Sequence, residues 1–274
     1  MPRLYSVLAL GAALLHATAV AAAPRHNARG DDTYHEDPSY GDGDGNDCGG
    51  HDLTCKPNGP CLLVNPLCQQ RGLNVDYYHN DFFGYSRRGA EPSSYYITEG
   101  LEPLASSTTD IIYFPSEGIP SNLPLIYPNP DVHWAYAVGW ERTLNGDITV
   151  DANNFTLVYQ GYYRAAVSGT HTFCAYADNE NDFFFGCDNA FKCIGGDADP
   201  TQTPLIQSFF SLGQDTTACA DVDLIKGFFY PIRSVMGNYQ GAASVEVTVK
   251  EPGAAEATHD FTGKAYQVGC GLLS

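Results

Sequence analysis

From Thr149 onward the chain is written in short runs with a two-residue period. Aromatic and β-branched residues recur over Thr149–Tyr163, Thr170–Tyr176, Phe183–Phe185, Phe228–Val235 and Val245–Lys250. In the last run Val245, Val247 and Val249 alternate strictly with polar neighbours. A β-strand turns successive side chains to opposite faces, so this pattern predicts strands with one buried face each. Upstream, Leu73 to Tyr78 is the first convincing strand, and the prolines at 92, 103, 115, 120, 124, 128 and 130 exclude long helices there. The expectation is all-β: one antiparallel β-sandwich over residues 73–274, a span of about two hundred residues that such domains fill without splitting.

The rest of the chain divides by composition. Residues 1–23 hold one arginine, an apolar run from Val7 to Leu15 and a small-residue finish at Ala21 to Ala23, which reads as a secretory signal peptide. Residues 24–47 carry seven acids, two arginines and almost no aliphatic side chains, and are read as a disordered acidic segment. Within it, Asp42, Asp44 and Asn46 imitate the start of an EF-hand loop. The twelfth position is Leu53 rather than a bidentate glutamate, so that reading fails. Residues 48–72 form a Cys-rich entry segment.

Nine cysteines, Cys48, Cys55, Cys61, Cys68, Cys174, Cys187, Cys193, Cys219 and Cys270, follow the signal segment. An exported chain pairs most of them; four lie in the first part and five later, so at least one remains free, bonds across the two groups or bonds another chain, with connectivity open. Zinc is the rival, but Cys55, Cys61 and Cys68 lack a close Cys-x2-Cys pair. The net charge of -18 repels nucleic-acid phosphates and anionic lipid while favouring divalent cations and neutral ligands. No mature segment has the apolar length of a membrane span. Residues 271–274 follow neither a Ser/Thr-rich stalk nor a lipid-anchor tail, so the chain reads as released, held by partners or part of a longer product.

Two segments carry candidate chemistry. Asp178, Asn179, Glu180, Asn181 and Asp182 crowd five side-chain oxygen donors between two strand-like runs, read as a loop that either faces water or gathers a cation. In the second, Gly237 to Gly241 interrupts the alternation between Val235 and Val245 and presents an exposed Asn238. That loop is either an ordinary Asn-Gly turn or a cradle for a hard ion.

These segments share an order and spacing. Gly169, Thr172-Phe173, Asp178-Asn179, Gly186, Ala190-Phe191 and Cys193 precede Tyr230-Pro231-Ile232-Arg233-Ser234-Val235, Asn238 and Gly241. The pattern resembles the fungal GLEYA and flocculin-type adhesin domains of the PA-14 β-sandwich superfamily, well from about Asp151 to Tyr266, more weakly from Cys55 to Val150, and not before. The resemblance implies a secreted, calcium-dependent, lectin-like adhesin domain whose Ca2+ contacts the hydroxyls of cell-surface or extracellular glycans. It implies a cis-linked pair at Asp178 and Asn179, a later Asn238, and carbonyl ligands at Gln240 and Ala242. Tyr239 and Gln240 would select among sugars. Asn179 departs from the pattern, standing where a second aspartate is usual, and the lost charge weakens a calcium site. Asn181-Asp182 is a second placement for the pair.

Catalytic motifs are missing: no Gly-x-Ser-x-Gly, no His-Glu-x-x-His and no Walker loop occurs. His171 alternates with Phe173 and reads as structural. Glu141 and Glu180 are the acids available to a polysaccharide hydrolase, the enzyme alternative. A metal-independent extracellular structural protein is the other alternative. Asn154, in the lone Asn-Phe-Thr sequon, is the candidate glycosylation site, expected at an exposed strand edge.

Overall fold

The alternating runs become strands, and what covers each face decides how they pack. The computed structural model describes residues 59–61, 69–80, 84–86, 91–127, 135–210 and 217–270. Its strands are β1 (Leu73–His79), β2 (Ala105–Thr109), β3 (Tyr113–Glu117), β4 (Leu125–Ile126), β5 (Tyr136–Ala137), β6 (Glu141–Thr143), β7 (Thr149–Asp151), β8 (Asn154–Arg164), β9 (Gly169–Asp178), β10 (Glu180–Phe185), β11 (Ile206–Phe209), β12 (Ala218–Leu224), β13 (Phe229–Tyr239), β14 (Ala243–Lys250) and β15 (Ala265–Tyr266). One helical turn, α1 (Tyr95–Thr98), lies between β1 and β2.

The larger sheet runs β11-β10-β13-β8-β1-β2, with β15 also pairing to β8, and the smaller runs β12-β9-β14-β3. All the strand ladders are antiparallel, and β4-β5 and β6-β7 form separate two-stranded sheets. This is the expected antiparallel β-sandwich.

The smaller sheet is wet on one side, which is why its sequence alternates so cleanly. Phe173, Ala175 and Ala177 of β9 and Val245, Val247 and Val249 of β14 enter the core, while Tyr176, Glu246 and Thr248 remain half-buried. The larger sheet is covered on both sides. Leu157 and Tyr159 of β8, Ile232 and Met236 of β13, and Phe183 of β10 face the smaller sheet. Val158, Tyr162, Val235 and Phe184 face the other way, against Tyr78, Tyr85, Tyr95 and Tyr96. Every residue of β13 is therefore buried. Phe173 lies stacked with Phe183 at 5.5 Å between ring centroids and edge-on to Tyr163 at 5.4 Å, geometries that add about 0.5–1.5 kcal/mol per pair beyond the area they bury.

The buried outer layer includes a guanidinium. Arg233 is 0% exposed; its Nε donates to the Ala190 carbonyl at 2.8 Å, its Nη1 to the Tyr96 hydroxyl at 3.1 Å, and its guanidinium lies 3.8 Å from the Phe184 ring centroid. These contacts tie α1 and the segment around Ala190 to β13.

Cys61 bonds Cys193 and Cys174 bonds Cys219; Cys187 and Cys270 are disulfide-bonded as well. Cys174 and Cys219 are cross-strand partners on β9 and β12. The sulfurs of Cys61, Cys187 and Cys193 cluster within 4.8 Å, but disulfide sulfurs offer no thiolate to a zinc ion. Cys61 also donates its backbone N–H to the Phe229 carbonyl at 2.9 Å, so the entry segment is stitched to the sandwich rather than merely preceding it. Cys48, Cys55 and Cys68, with the signal and acidic segments, lie outside the described residues. Among the described residues no helix is long and apolar enough to cross a membrane.

Three expectations need correction. Gly237 to Gly241 is not one loop: β13 continues through Tyr239, and Asn238 is 0% exposed. Gly237 serves close packing rather than a turn, since a β-carbon there would lie 2.4 Å from the Tyr85 ring. Asp178 to Asp182 is not a loop either, because β9 ends at Asp178, β10 begins at Glu180, and only Asn179 lies between them. Asn154 is 4% exposed within the β8–β13 ladder, opposite Tyr239, rather than at an open strand edge.

Gly161→Ala should lower stability by about 1–3 kcal/mol, because its β-carbon would meet the Tyr266 carbonyl oxygen at 2.4 Å where β15 crosses β8. The check is the urea midpoint at constant m-value; an unchanged midpoint would refute the close approach. A glycan at Asn154 has no exit from the ladder. Chain made through a eukaryotic secretory route should show no mass change at this residue on N-glycanase treatment, and a full-occupancy glycan on folded protein would contradict the burial.

Candidate functional site

The site is a corner where the chain leaves one sheet for the other. β9 belongs to the smaller sheet and β10 to the larger, and the crossing is made at Asp178-Asn179, which are joined by a cis peptide bond. Both residues are half-buried. Hydrogen bonds hold the corner from three directions. The Asn179 carbonyl accepts the Phe210 N–H at 2.6 Å, its Oδ1 accepts the Tyr239 N–H at 2.6 Å, and its Nδ2 donates to Asp178 Oδ1 at 3.1 Å. Asp178 also lies opposite Ser244 across the β9–β14 ladder. The corner is thus pinned to the end of β13 and to the start of β14.

Asn238 is one residue before that contact, and its surroundings are fully protein. Its Nδ2 donates to the Ala152 carbonyl at 2.8 Å and the Asn153 carbonyl at 3.2 Å, and its own carbonyl accepts Asn80 Nδ2 at 3.1 Å. Asn238 Oδ1 is buried and accepts no hydrogen bond. A buried amide oxygen without a donor forfeits about 1–3 kcal/mol of solvation, so it is a place where an electrophile gains most. Gln240 follows in a left-handed conformation at φ +52°, with Gly241 at +74°, making the tight turn into β14. The Gln240 N–H also donates to the Asn153 carbonyl, and its Oε1 is a second buried oxygen without a donor.

Electrostatics point the same way. Desolvation raises the Asp178 carboxyl to about 6, and desolvation followed by repulsion from Asp182 raises Glu180 to about 7. No arginine, lysine or histidine among the described residues forms a salt bridge with Asp178. A carboxylate held in this way lacks a cation. With Asp178 Oδ, Asn179 Oδ1 and Asn238 Oδ1 the donors are all oxygen, which suits a hard ion such as calcium and not zinc. The residues present therefore fit the ion that the resemblance implies.

The other acidic-cluster members are engaged elsewhere. Asn181 Oδ1 accepts the Ser234 hydroxyl at 2.6 Å; Asp182 accepts Ser93 Oγ at 2.5 Å and Gln207 Nε2 at 3.0 Å. Asn181-Asp182 is therefore not the paired ligand set, and the cis bond lies at 178–179. Glu180 shares Gln207 Nε2 at 3.1 Å with its neighbour Asp182, whereas Glu141 sits on the separate β6–β7 sheet. His171 is buried with Nδ1 2.9 Å from the Gly169 carbonyl, a structural residue as read. The Tyr239 ring is only 7% exposed, which removes it as a stacking platform; its backbone N–H is what the site uses. Asn80 and Asn153, which bond Asn238, carried no signal in the sequence, since each sits beside a strand end far from β13 in the chain and among other polar residues.

Comparison with known proteins follows this geometry. Residues 155–251 match the GLEYA domain family model, a span from β8 through β14 that contains the corner and Asn238. The fold is similar to that of the Epithelial Adhesin 9 A domain from Candida glabrata, solved in complex with Galβ1-3GlcNAc, at a TM-score of 0.58 and 20% identity over 78% of this chain and 95% of that one. The Epithelial Adhesin 6 A domain from the same organism, in complex with the same disaccharide, gives 0.54 and 20% over 77% and 93%. No curated protein matches the sequence. Residues 155–251 thus carry the match to the GLEYA domain family, on an antiparallel β-sandwich similar in fold to these adhesin A domains.

Proposed function

We propose that this chain is a secreted, calcium-dependent carbohydrate-binding domain of adhesin type, and not an enzyme. The observation that carries the reading is the 2.6 Å bond from the Tyr239 N–H to Asn179 Oδ1, which joins the Asp178 corner to the strand end bearing Asn238. Asp178, Asn179 and Asn238 would hold the ion with the carbonyls of Gln240 and Ala242. When bound, the ion supplies a Lewis-acidic centre to which neutral hydroxyls can bind. The protein donors leave it short of its usual roughly six to eight oxygens, and vicinal hydroxyls of a glycan complete the shell. Gln240, half-buried on the turn, would discriminate among sugars. The glycan complexes of the two adhesin A domains support a glycan as ligand, and the disulfides support passage through an oxidising, extracellular compartment.

With one carboxylate in the set, calcium should bind at about 10⁻⁴ to 10⁻³ M. Added at a hundred times its Kd it should stabilise the fold by about 2.7 kcal/mol, read as a rise in Tm that a chelator reverses. Asp178→Ala should abolish calcium binding by calorimetry and retention on a glycan array that includes Galβ1-3GlcNAc; retention by that variant would refute the direct role. Asn179→Asp should tighten calcium by roughly tenfold or more, because it restores a second charge.

A second reading, a metal-independent extracellular structural or cell-wall interaction domain, draws on one observation. The Asn179 amide closes on Asp178 at 3.1 Å, so the corner is hydrogen-bonded without an ion. That reading requires the wild-type Tm to ignore millimolar calcium.

A further inference from the structure

We infer that Asn153 is a positioning residue for Asn238, deciding which end of the Asn238 amide faces the ion site. The inference rests on the reading of Asn238 as an ion ligand, but its structural part stands apart from it. Both carbonyls that accept Asn238 Nδ2, those of Ala152 and Asn153, belong to the turn between β7 and β8. That turn also takes the Gln240 N–H on the Asn153 carbonyl. Two acceptors on one side of a buried amide exclude its flipped form, because the flip would set Oδ1 against two carbonyl oxygens. Oδ1 is thereby left on the other side, which is where it is found without a donor.

The turn keeps this shape because of the Asn153 side chain. Asn153 is 0% exposed and its amide is fully used. Oδ1 accepts the Ala137 N–H at 2.8 Å, and Nδ2 donates to the Ala137 carbonyl at 3.0 Å and to Asp151 Oδ1 at 2.7 Å. Its backbone N–H reaches the same Asp151 oxygen at 3.0 Å. Asp151 is steadied in turn by the Tyr136 hydroxyl at 2.6 Å on Oδ2, and the Ala152 N–H reaches the Trp140 carbonyl at 2.9 Å. One side chain thus clamps β5 to the turn, and the turn aims Asn238. Asp151 is a suitable control, since an asparagine there keeps an acceptor for Asn153.

The test uses the full chain in three variants, Asn153→Ala, Asp151→Ala and Asp151→Asn, with two readouts. The first, free of calcium, is hydrogen-exchange protection of the Asn238 side-chain NH2 by NMR; the second is calcium affinity by calorimetry, well below the Tm of each variant. Asn153→Ala should lose the side-chain protection while keeping a folded β spectrum, and should weaken calcium by at least about tenfold. Asp151→Asn should keep both properties. If Asn153→Ala does not fold, Asp151→Ala gives the same reading from the other half of the clamp. Unchanged Asn238 protection in the folded alanine variants overturns the inference. Wild-type protein that shows the protection but no calcium binding overturns the functional reading and leaves the positioning intact.

Discussion

Burial of β13 from end to end is the constraint on which the site depends. A strand with both faces covered has no water to satisfy its last residues, so each polar group near its end must find protein or remain without a partner. Asn238 meets that condition with three of its groups: Nδ2 goes to the turn at 152 and 153, the carbonyl goes to Asn80, and Oδ1 is left over. Had the smaller sheet supplied this asparagine, its wet face would have hydrated the oxygen and removed the incentive to take an ion. The layer formed by α1, Tyr85 and the segment around Ala190 covers the opposite face of β13 from the Asn238 side chain, and reaches Asn238 through Asn80, whose Nδ2 donates to both the Tyr85 and the Asn238 carbonyls. Arg233 fastens that layer to the strand, so both faces of β13 stay covered.

What could be read from the sequence follows from which face of each sheet is wet. β9 and β14 announce themselves because one side is polar; β10 and the later part of β8, rich in aromatics and buried on both sides, announce themselves by composition. Gly237-Asn238 misled because a glycine beside an asparagine is the commonest sign of a turn. Here the glycine leaves room for the Tyr85 ring, contributed by a segment about 150 residues away, and no local pattern reports such a contact. The acidic cluster misled in the same manner. Asn181 and Asp182 looked solvated because Ser234, Ser93 and Gln207, which receive them, are distant in the chain. The identities of Asp178, Asn179 and Asn238 were legible only as a motif, and their convergence depends on the crossing between two sheets.

The cysteines tie the fold at two different ranges. Cys174 and Cys219 link neighbouring strands on the wet face of the smaller sheet, where no core packing holds the outward side chains. Cys61 and Cys193 act at long range, across 132 residues, and join the entry segment to the layer that covers β13. Closing a loop of that length restricts the unfolded chain most, a stabilisation of about 2–4 kcal/mol in the usual range. The layer is otherwise held by side chains on irregular segments, so a covalent tie there counters local opening that would readmit water to the outer face of β13.

Asn179 alters the balance between the free and ion-loaded corner rather than simply weakening it. With aspartate at that position, two adjacent carboxylates would repel until a cation arrived, and the corner would be open or mobile in its absence. With asparagine, Oδ1 still accepts the Tyr239 N–H while Nδ2 turns to Asp178, so the free corner is already closed. An incoming ion must then compete for the Asp178 oxygen with a hydrogen bond to a charged acceptor, about 1.5–3 kcal/mol in general. Against this, less ordering remains to be done when it binds, because the two strands already meet at the intended place. On the proposed reading, the net effect would be a site that exchanges charge for preorganisation: weak for the ion, yet presenting one fixed geometry to whatever hydroxyls complete its shell.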